Sequence, residues 1–368
     1  MSDGESISAE DFTVAIIYAK QVEMTAIVTM ADERYEDITL PPNDENEYIL
    51  CRIGKHKVVI AGLARGQQGN VSVAPVVTWV RSTFKNVKVG LLVGIGGGVP
   101  RPQDQDVRLG DVVVGAPDQG PAVVQYDLGK QYTDGTEVTR TLNKPPVNLL
   151  KVVDKVQDEY YDAPEGEDLF TRNMELFAKF PRKRDAYKCP SAPDQLFETD
   201  HADGFLCSSS SHEGFKQVQR DEREPSTIKV HYGTILSGGM VMKSRKKRDE
   251  LSAKHYDALC FEMEAAGVSD VIPCLVIRGI CDYSDSHKND KWQHYAAATA
   301  ACYAREILLV LAERVEDGVG KRANTYNGSF TISGGNNYNN GIQQGVGVNS
   351  GAFTFSPVST YNYGRGSG

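Results

Sequence analysis

A chain of 368 residues with 40% hydrophobic and 24% charged positions is long enough for one large or two ordinary domains around a real core. Its 49 acids against 40 Lys and Arg exclude a general nucleic-acid binder, which needs a dominant basic surface to meet phosphates. The polar, acidic start MSDGESISAEDF and the lack of any apolar run near the ~18 residues that cross a bilayer predict a soluble chain without a membrane span, and seven Cys without CxxC spacing predict free thiols in the reducing cytoplasm.

In chain order, the β-branched run at 13–18 reads as a strand, and 21–32 as a helix because Val22, Met24, Ile27, Val28 and Met30 recur at roughly helical spacing. Residues 48–53 and 56–61 read as two strands joined by a tight turn at Gly54-Lys55. A helix over about 71–84 precedes a buried strand at 89–93, a Gly-rich turn at 93–98 and a strand at 111–114. Apolar runs without polar alternation mark strands covered on both faces, as in an α/β layer structure. Residues 143–160 read as an amphipathic helix with prolines in its first turn. From 161 to 226 periodicity dissolves, which predicts an insertion or lid. Strands return at 228–236, 259–261 and 273–280, and an Ala-rich helix at 292–316 closes the body. The last 49 positions differ: 320–368 hold no acid, three cations, 11 Gly and 8 Asn, so residues 1–319 carry −12 where the whole chain carries −9. A domain at 12–317 followed by a low-complexity tail at 318–368 is expected.

Three carboxylates, Glu23, Glu264 and Asp282, stand just beyond apolar strands, and in open α/β sheets the ligand site lies at the carboxyl ends of strands. Taken singly, each reads equally well as a helix cap or a solvated charge; together they favour a site. The turn containing Gly94, Ile95, Gly96 and Gly97 lets backbone N–H groups approach a ligand, although its spacing is not that of a dinucleotide fingerprint.

The series Ala15 to Met24 (AIIYAKQVEM), Val93 to Gly98 (VGIGGG), Leu109 to Val114 (LGDVVV), Phe261 to Glu264 (FEME) and Val276 to Asp282 (VIRGICD) resembles, in order, the nucleoside phosphorylase and methylthioadenosine nucleosidase family. The stretch from Arg278 to Trp292 looks closer still to phosphorylase-like effector domains of fungal NLR-type immune proteins. The resemblance implies a three-layer α/β/α sandwich around a twisted mixed sheet, a purine nucleoside or nucleotide substrate, and no metal or organic cofactor. It implies that Asp282 protonates the purine leaving group, that Glu23 orients the attacking water, and that Glu264 accepts the ribose hydroxyls. Met263 would pack on the sugar, and Glu262 would line the same site. Cys281 stands where such nucleosidases carry Ser. Val241 replaces an aromatic base-stacking residue, so stacking would come from Tyr283 or Trp292, unless those rings are ordinary packing. The apolar Leu91-Leu92-Val93 before the Gly-rich turn and the charge of Glu23 favour water over phosphate as nucleophile. A phosphate-dependent phosphorylase is the alternative. A second is a catalytically lapsed scaffold that assembles through its tail.

Arg65 and the run carrying Lys243, Arg245 and Arg248 are candidates for holding 5′-phosphates, against the plainer reading of a solvated helix face. Some immune-type relatives cleave ATP to adenine and ribose triphosphate, which the resemblance extends to this chain. Cys189, His201, Cys207 and His212 match no paired metal spacing. In the tail, residues 324–356 alternate β-formers among Gly, Asn and Gln. They read either as a disordered end or as a templated cross-β element, and resemble fungal amyloid signalling motifs. The partners this implies are a second copy of the chain and an NLR-type receptor reached through the tail.

Overall fold

The computed structural model describes residues 7–133, 135–138, 140–142, 144–164, 166–200, 215–223 and 227–312. The chain divides into two units, Met1–Arg314 and Val315–Gly368. The second, with the motif expected at 324–356, lies outside the described residues. In chain order the elements are β1 (Val14–Tyr18), α1 (Gln21–Thr29), β2 (Glu33–Arg34), β3 (Ile49–Ile53), β4 (His56–Gly62), α2 (Asn70–Thr83), β5 (Val89–Gly98), β6 (Val112–Val114), β7 (Val123–Gln125), β8 (Gly129–Tyr132), β9 (Gly135–Val138), α3 (Val147–Asp162), α4 (Leu169–Ala178), α5 (Pro181–Tyr187), β10 (Val230–Tyr232), β11 (Ile235–Ser237), α6 (Arg245–Lys254), β12 (Cys260–Glu262), α7 (Ala265–Val268), β13 (Cys274–Asp282) and α8 (Gln293–Val310).

The period-2 geometry of a strand sends alternate side chains to opposite faces, and here both faces are apolar. Val14, Ile16, Val58, Ile60, Leu91 and Val93 enter one core with α1, α3, α4 and α8. Ala15, Ile17, Val59, Ala61 and Leu92 enter the other with α2 and α7. The result is three layers with the sheet in the middle, as the uninterrupted apolar runs require. The main sheet runs β10-β6-β13-β5-β1-β4-β3-β2, with β12, β11 and β7 branching from the end of β5. It is mixed: β4, β1, β5 and β13 are parallel, while β12 runs back against β5 and β6 against β13. This brings the carboxyl ends of the parallel strands to one edge. No helix among the described residues is long and apolar enough to cross a membrane.

Three expectations change. The Gly-rich segment is not a turn: β5 continues unbroken through Gly98, paired with β13 and β12. The prolines at 145–146 precede α3 instead of lying in its first turn, with Pro146 as its cap residue. Residues 161–226 do not simply dissolve, because they contain α4 and α5. Leu169, Phe170, Phe177 and Tyr187 of those helices are buried in the same core as α8. Both helices are too short, at 10 and 7 residues, to impose a long periodic signature.

Candidate active site

The carboxyl-terminal ends of β5, β12 and β13 and the segments following β1, β4, β11, β12 and β13 line a cavity of about 110 Å³. Glu23, in the first turn of α1, is buried in its wall at 2% exposure. Its Oε2 accepts from the backbone N–H groups of Ala19 (2.8 Å) and Lys20 (2.7 Å), and its Oε1 from Ile95 N–H (2.8 Å). A carboxylate so held by three backbone N–H groups is fixed in direction. Gly94 makes this possible: a Cβ there would lie 2.5 Å from Glu23 Oε1 and 2.5 Å from Arg278 Nη1. Gly94 is thus a spacer beneath the site and not part of its lining, a correction to the sequence reading, whereas Ile95, Gly96 and Gly97 do line the cavity.

Arg278 lies within the VIRGICD motif, where the family resemblance implies no role for it. It sits in the middle of β13 at 1% exposure. Its guanidinium pairs with Glu262 and reaches Glu264 Oε2 (3.4 Å) and the Ile95 carbonyl (3.3 Å). Glu262 also accepts the N–H groups of Glu264 (3.0 Å) and Ala265 (2.9 Å). Its oxygens are therefore committed to fixing Arg278 and the turn into α7. Glu264 is freer, with one oxygen taking Gly69 N–H at 3.0 Å. Burial pushes its carboxyl up to about 7; Arg278 opposes that, and the charges of Glu262 and Glu23 add to it. A charged residue inside a continuous apolar strand was the available signal for Arg278, since isolated buried charges are rare.

Asp282 ends β13, where the register against β5 slips between Ile280 and Asp282. Its Oδ1 accepts Ser284 N–H (2.9 Å), and its Oδ2 accepts the Cys281 thiol (3.0 Å) and the Lys288 ammonium. Burial pushes the Cys281 thiol far above its ordinary range, so it stays protonated and donates. Ser284 adopts a left-handed φ of +53° and packs over Gly97, where a Cβ would fall 2.0 Å from Ser284 Oγ. Lys288 gave no signal in sequence because its position depends on a loop returning over the strand end.

Met263, Glu262, Glu264, Val241 and Cys281 line the cavity as expected, and Met240, Met242 and Phe261 add apolar surface that the sequence reading missed. Tyr283 and Trp292 do not supply the stacking face. The Tyr283 hydroxyl is held by Asp194 and Arg220 (2.8 Å) and accepts Leu109 N–H (3.3 Å), while Trp292 packs on Tyr295 in the core. Arg65 lines an adjoining hollow of about 410 Å³ that shares Ala19, Lys20 and Gln68 with the first. Neither Arg65 nor Lys20 has an ion-pair partner among the described residues. The other proposed cations fall elsewhere. Arg248 is 2% exposed and donates to the Tyr283 carbonyl (2.7 Å) and to Asp249 (2.7 Å). Arg245 lines a separate hollow beside α6, and Lys243 is exposed outside both cavities. Burial and local pairing therefore remove the 243–248 run from the site. Of the four metal-type residues considered, Cys189 is half-buried, and His201, Cys207 and His212 lie outside the described residues.

Residues 13–310 match the family model described as the Phosphorylase superfamily. Over 316 residues, 83% of this chain and 30% of the relative, the sequence is 40% identical to a nucleotide-binding leucine-rich repeat (NLR)-like protein of Hyaloscypha variabilis. It is 25% identical to the ATP nucleosidase Cap17 of Escherichia coli strain KTE188 over 245 residues, 65% of this chain and 39% of the relative. The chain thus spans about a third of the length of these curated relatives. Among solved structures, the 5′-methylthioadenosine/S-adenosylhomocysteine nucleosidase of Neisseria meningitidis in complex with methylthio-immucillin-A superimposes with a TM-score of 0.51 at 17% identity, covering 81% of this chain and 99% of that one.

Proposed function

The chain belongs to the Phosphorylase superfamily, and from that premise we propose that it is a purine N-glycosidase that hydrolyses the bond between base and ribose. The observation that carries this reading is the convergence of Glu23, Glu264 and Asp282 on one cavity whose nearest guanidinium, Arg278, is already paired with carboxylates. Breaking the C1′–N9 bond leaves positive charge on the sugar and a poor leaving group on the base. Asp282 delivers a proton to the base, which a general acid makes roughly 10²–10⁴-fold faster. Glu23 orients water toward C1′, and its charge with that of Glu264 stabilises the oxocarbenium-like centre. Glu264 accepts the ribose hydroxyls, Met263 packs on the sugar, and the base lies against Met240, Val241, Met242 and Phe261. The same negative charge repels inorganic phosphate, which favours hydrolysis over phosphorolysis.

The substrate we favour is an adenine nucleotide such as ATP, with its 5′-phosphates in the hollow beside Lys20 and Arg65. The similarity to a protein named ATP nucleosidase supports this, as does the absence of ion-pair partners for those two cations among the described residues. In this reading the domain is an effector of an NLR-type immune system, gathered by its tail into homo-oligomers, with Glu23, Glu264 and Asp282 speaking against a lapsed scaffold. Chromatography of free base released from adenosine, inosine, methylthioadenosine, AMP and ATP, with and without phosphate, tests it. Release is expected without phosphate, fastest from the phosphorylated substrates, and lowered at least roughly 10²-fold by Asp282→Asn. Unchanged turnover in that variant removes Asp282 as the acid. Adenosine cleaved as fast as ATP removes the phosphate hollow.

A further inference from the structure

A general acid must arrive with a proton, yet the Asp282 carboxylate is occupied by three donors: Ser284 N–H, the Cys281 thiol and the Lys288 ammonium. Lys288 is half-buried and lines the same cavity as Asp282. The other groups facing the pair are Cys281, Asp285 and Asp290 in its own segment, Lys20 at the start of α1, and Cys260 and Glu262 on β12. The two thiols are held protonated by burial; of the remaining neighbours Lys20 makes no ion pair among the described residues and the others are acids, which leaves Lys288 as the cation in contact with the carboxylate.

We propose that Lys288 supplies the proton that Asp282 passes to the purine, so that the resting Asp282–Lys288 pair stores one mobile proton for the leaving group. This rests on the glycosidase reading above. As the C1′–N9 bond breaks, its electron pair enters the purine ring, and N7 takes a proton from Asp282 Oδ2. That oxygen takes one from Lys288 Nζ, which becomes a neutral amine. Water bonds to C1′ and loses a proton to Glu23. After the products leave, Glu23 releases its proton to solvent and Lys288 regains one, so protons balance over the cycle. Burial works against the charge of Lys288, but Asp282 more than offsets it and raises the ammonium above the ordinary lysine range. The pair therefore keeps its proton well into alkaline solution. The amine acts through the aspartate, so Lys288 is a positioning residue and Asp282 remains the group that touches the base.

The test is kcat and KM for ATP and adenosine across mildly acidic to alkaline pH, for the wild-type protein, Lys288→Met and Lys288→Arg, with thermal melts alongside. In the wild type, kcat is expected to hold as pH rises. In Lys288→Met the loss reaches roughly 10²-fold at alkaline pH and shrinks toward acid, where hydronium from solvent can deliver the proton in place of the ammonium, while KM changes little. Lys288→Arg, which keeps the charge but gives up its proton far less readily, keeps the wild-type KM and melt but not alkaline kcat. A Lys288→Met enzyme that matches the wild type, or that loses the same factor at every pH, overturns the proposal. Lys288→Gln replaces Lys288→Met if the latter does not fold. A wild-type protein that releases no base from any substrate defeats the underlying reading instead, which separates the two failures.

Discussion

At Glu264 the demands of binding and of stability oppose each other. To accept two ribose hydroxyls the carboxyl must be ionised, yet burial holds its titration up at about 7. An unfolded glutamate loses its proton near pH ~4.3, so the folded state binds the extra proton between those values. Stability from this group is present below the lower value and is lost as pH rises through about 7. Glu264→Gln, which cannot ionise, should therefore raise the melting temperature more at pH 8 than at pH 5, while lowering kcat/KM for every substrate. A melting gain that does not grow with pH would show that the charge is not costly there. Glu23, Glu264 and Asp282 were legible in the sequence because each interrupts or follows an apolar run. Arg278 and Lys288 gained their meaning only from the carboxylates that surround them.

Among the elements, β5 and α6 departed furthest from their sequence reading. The four glycines of VGIGGG would ordinarily weaken a strand through backbone freedom, but pairing with β13 along its length, with β1 before the segment and β12 at its end, keeps β5 continuous. What glycine supplies there is clearance for Glu23, Arg278 and Ser284. The basic run at 243–248 reads as a surface by composition, yet α6 turns Arg248 inward, under the loop that follows Asp282. Asp285 in that loop is pushed up to about 6 by burial, with Arg248 opposing. Arg248→Ala should thus cost roughly 1–3 kcal/mol in denaturant unfolding, because it leaves the buried Tyr283 carbonyl without its donor. Arg245→Ala, which loses only a long pair to half-exposed Asp249, should stay within about 1 kcal/mol. Equal losses would return Arg248 to the surface role.

For the whole molecule, the division near residue 318 separates two chemistries. On the proposed nucleotide reading the body at −12 has to gather cations to hold a polyphosphate; Lys20 lines the site cavity and Arg65 the hollow adjoining it. The tail, without acids and rich in Asn and Gly, has the composition for stacking copies in register. A peptide of residues 324–356 is expected to form thioflavin-positive fibrils and to seed the full-length chain. A peptide that stays monomeric at high concentration removes assembly from the function. Sequence alone determined the layered α/β architecture, because two-sided burial writes itself as continuous apolar strands. It also determined the three carboxylates, because a charge beside such a strand is conspicuous along the chain. Only the tertiary structure decided where the cations lie, placing Lys288 in the cavity wall, Arg278 against the carboxylates Glu262 and Glu264, Arg248 under the loop after Asp282 and Lys243 outside. The reason is physical: a carboxylate at a strand end is positioned by its own strand, whereas a long basic side chain takes its role from whichever distant segment folds against it.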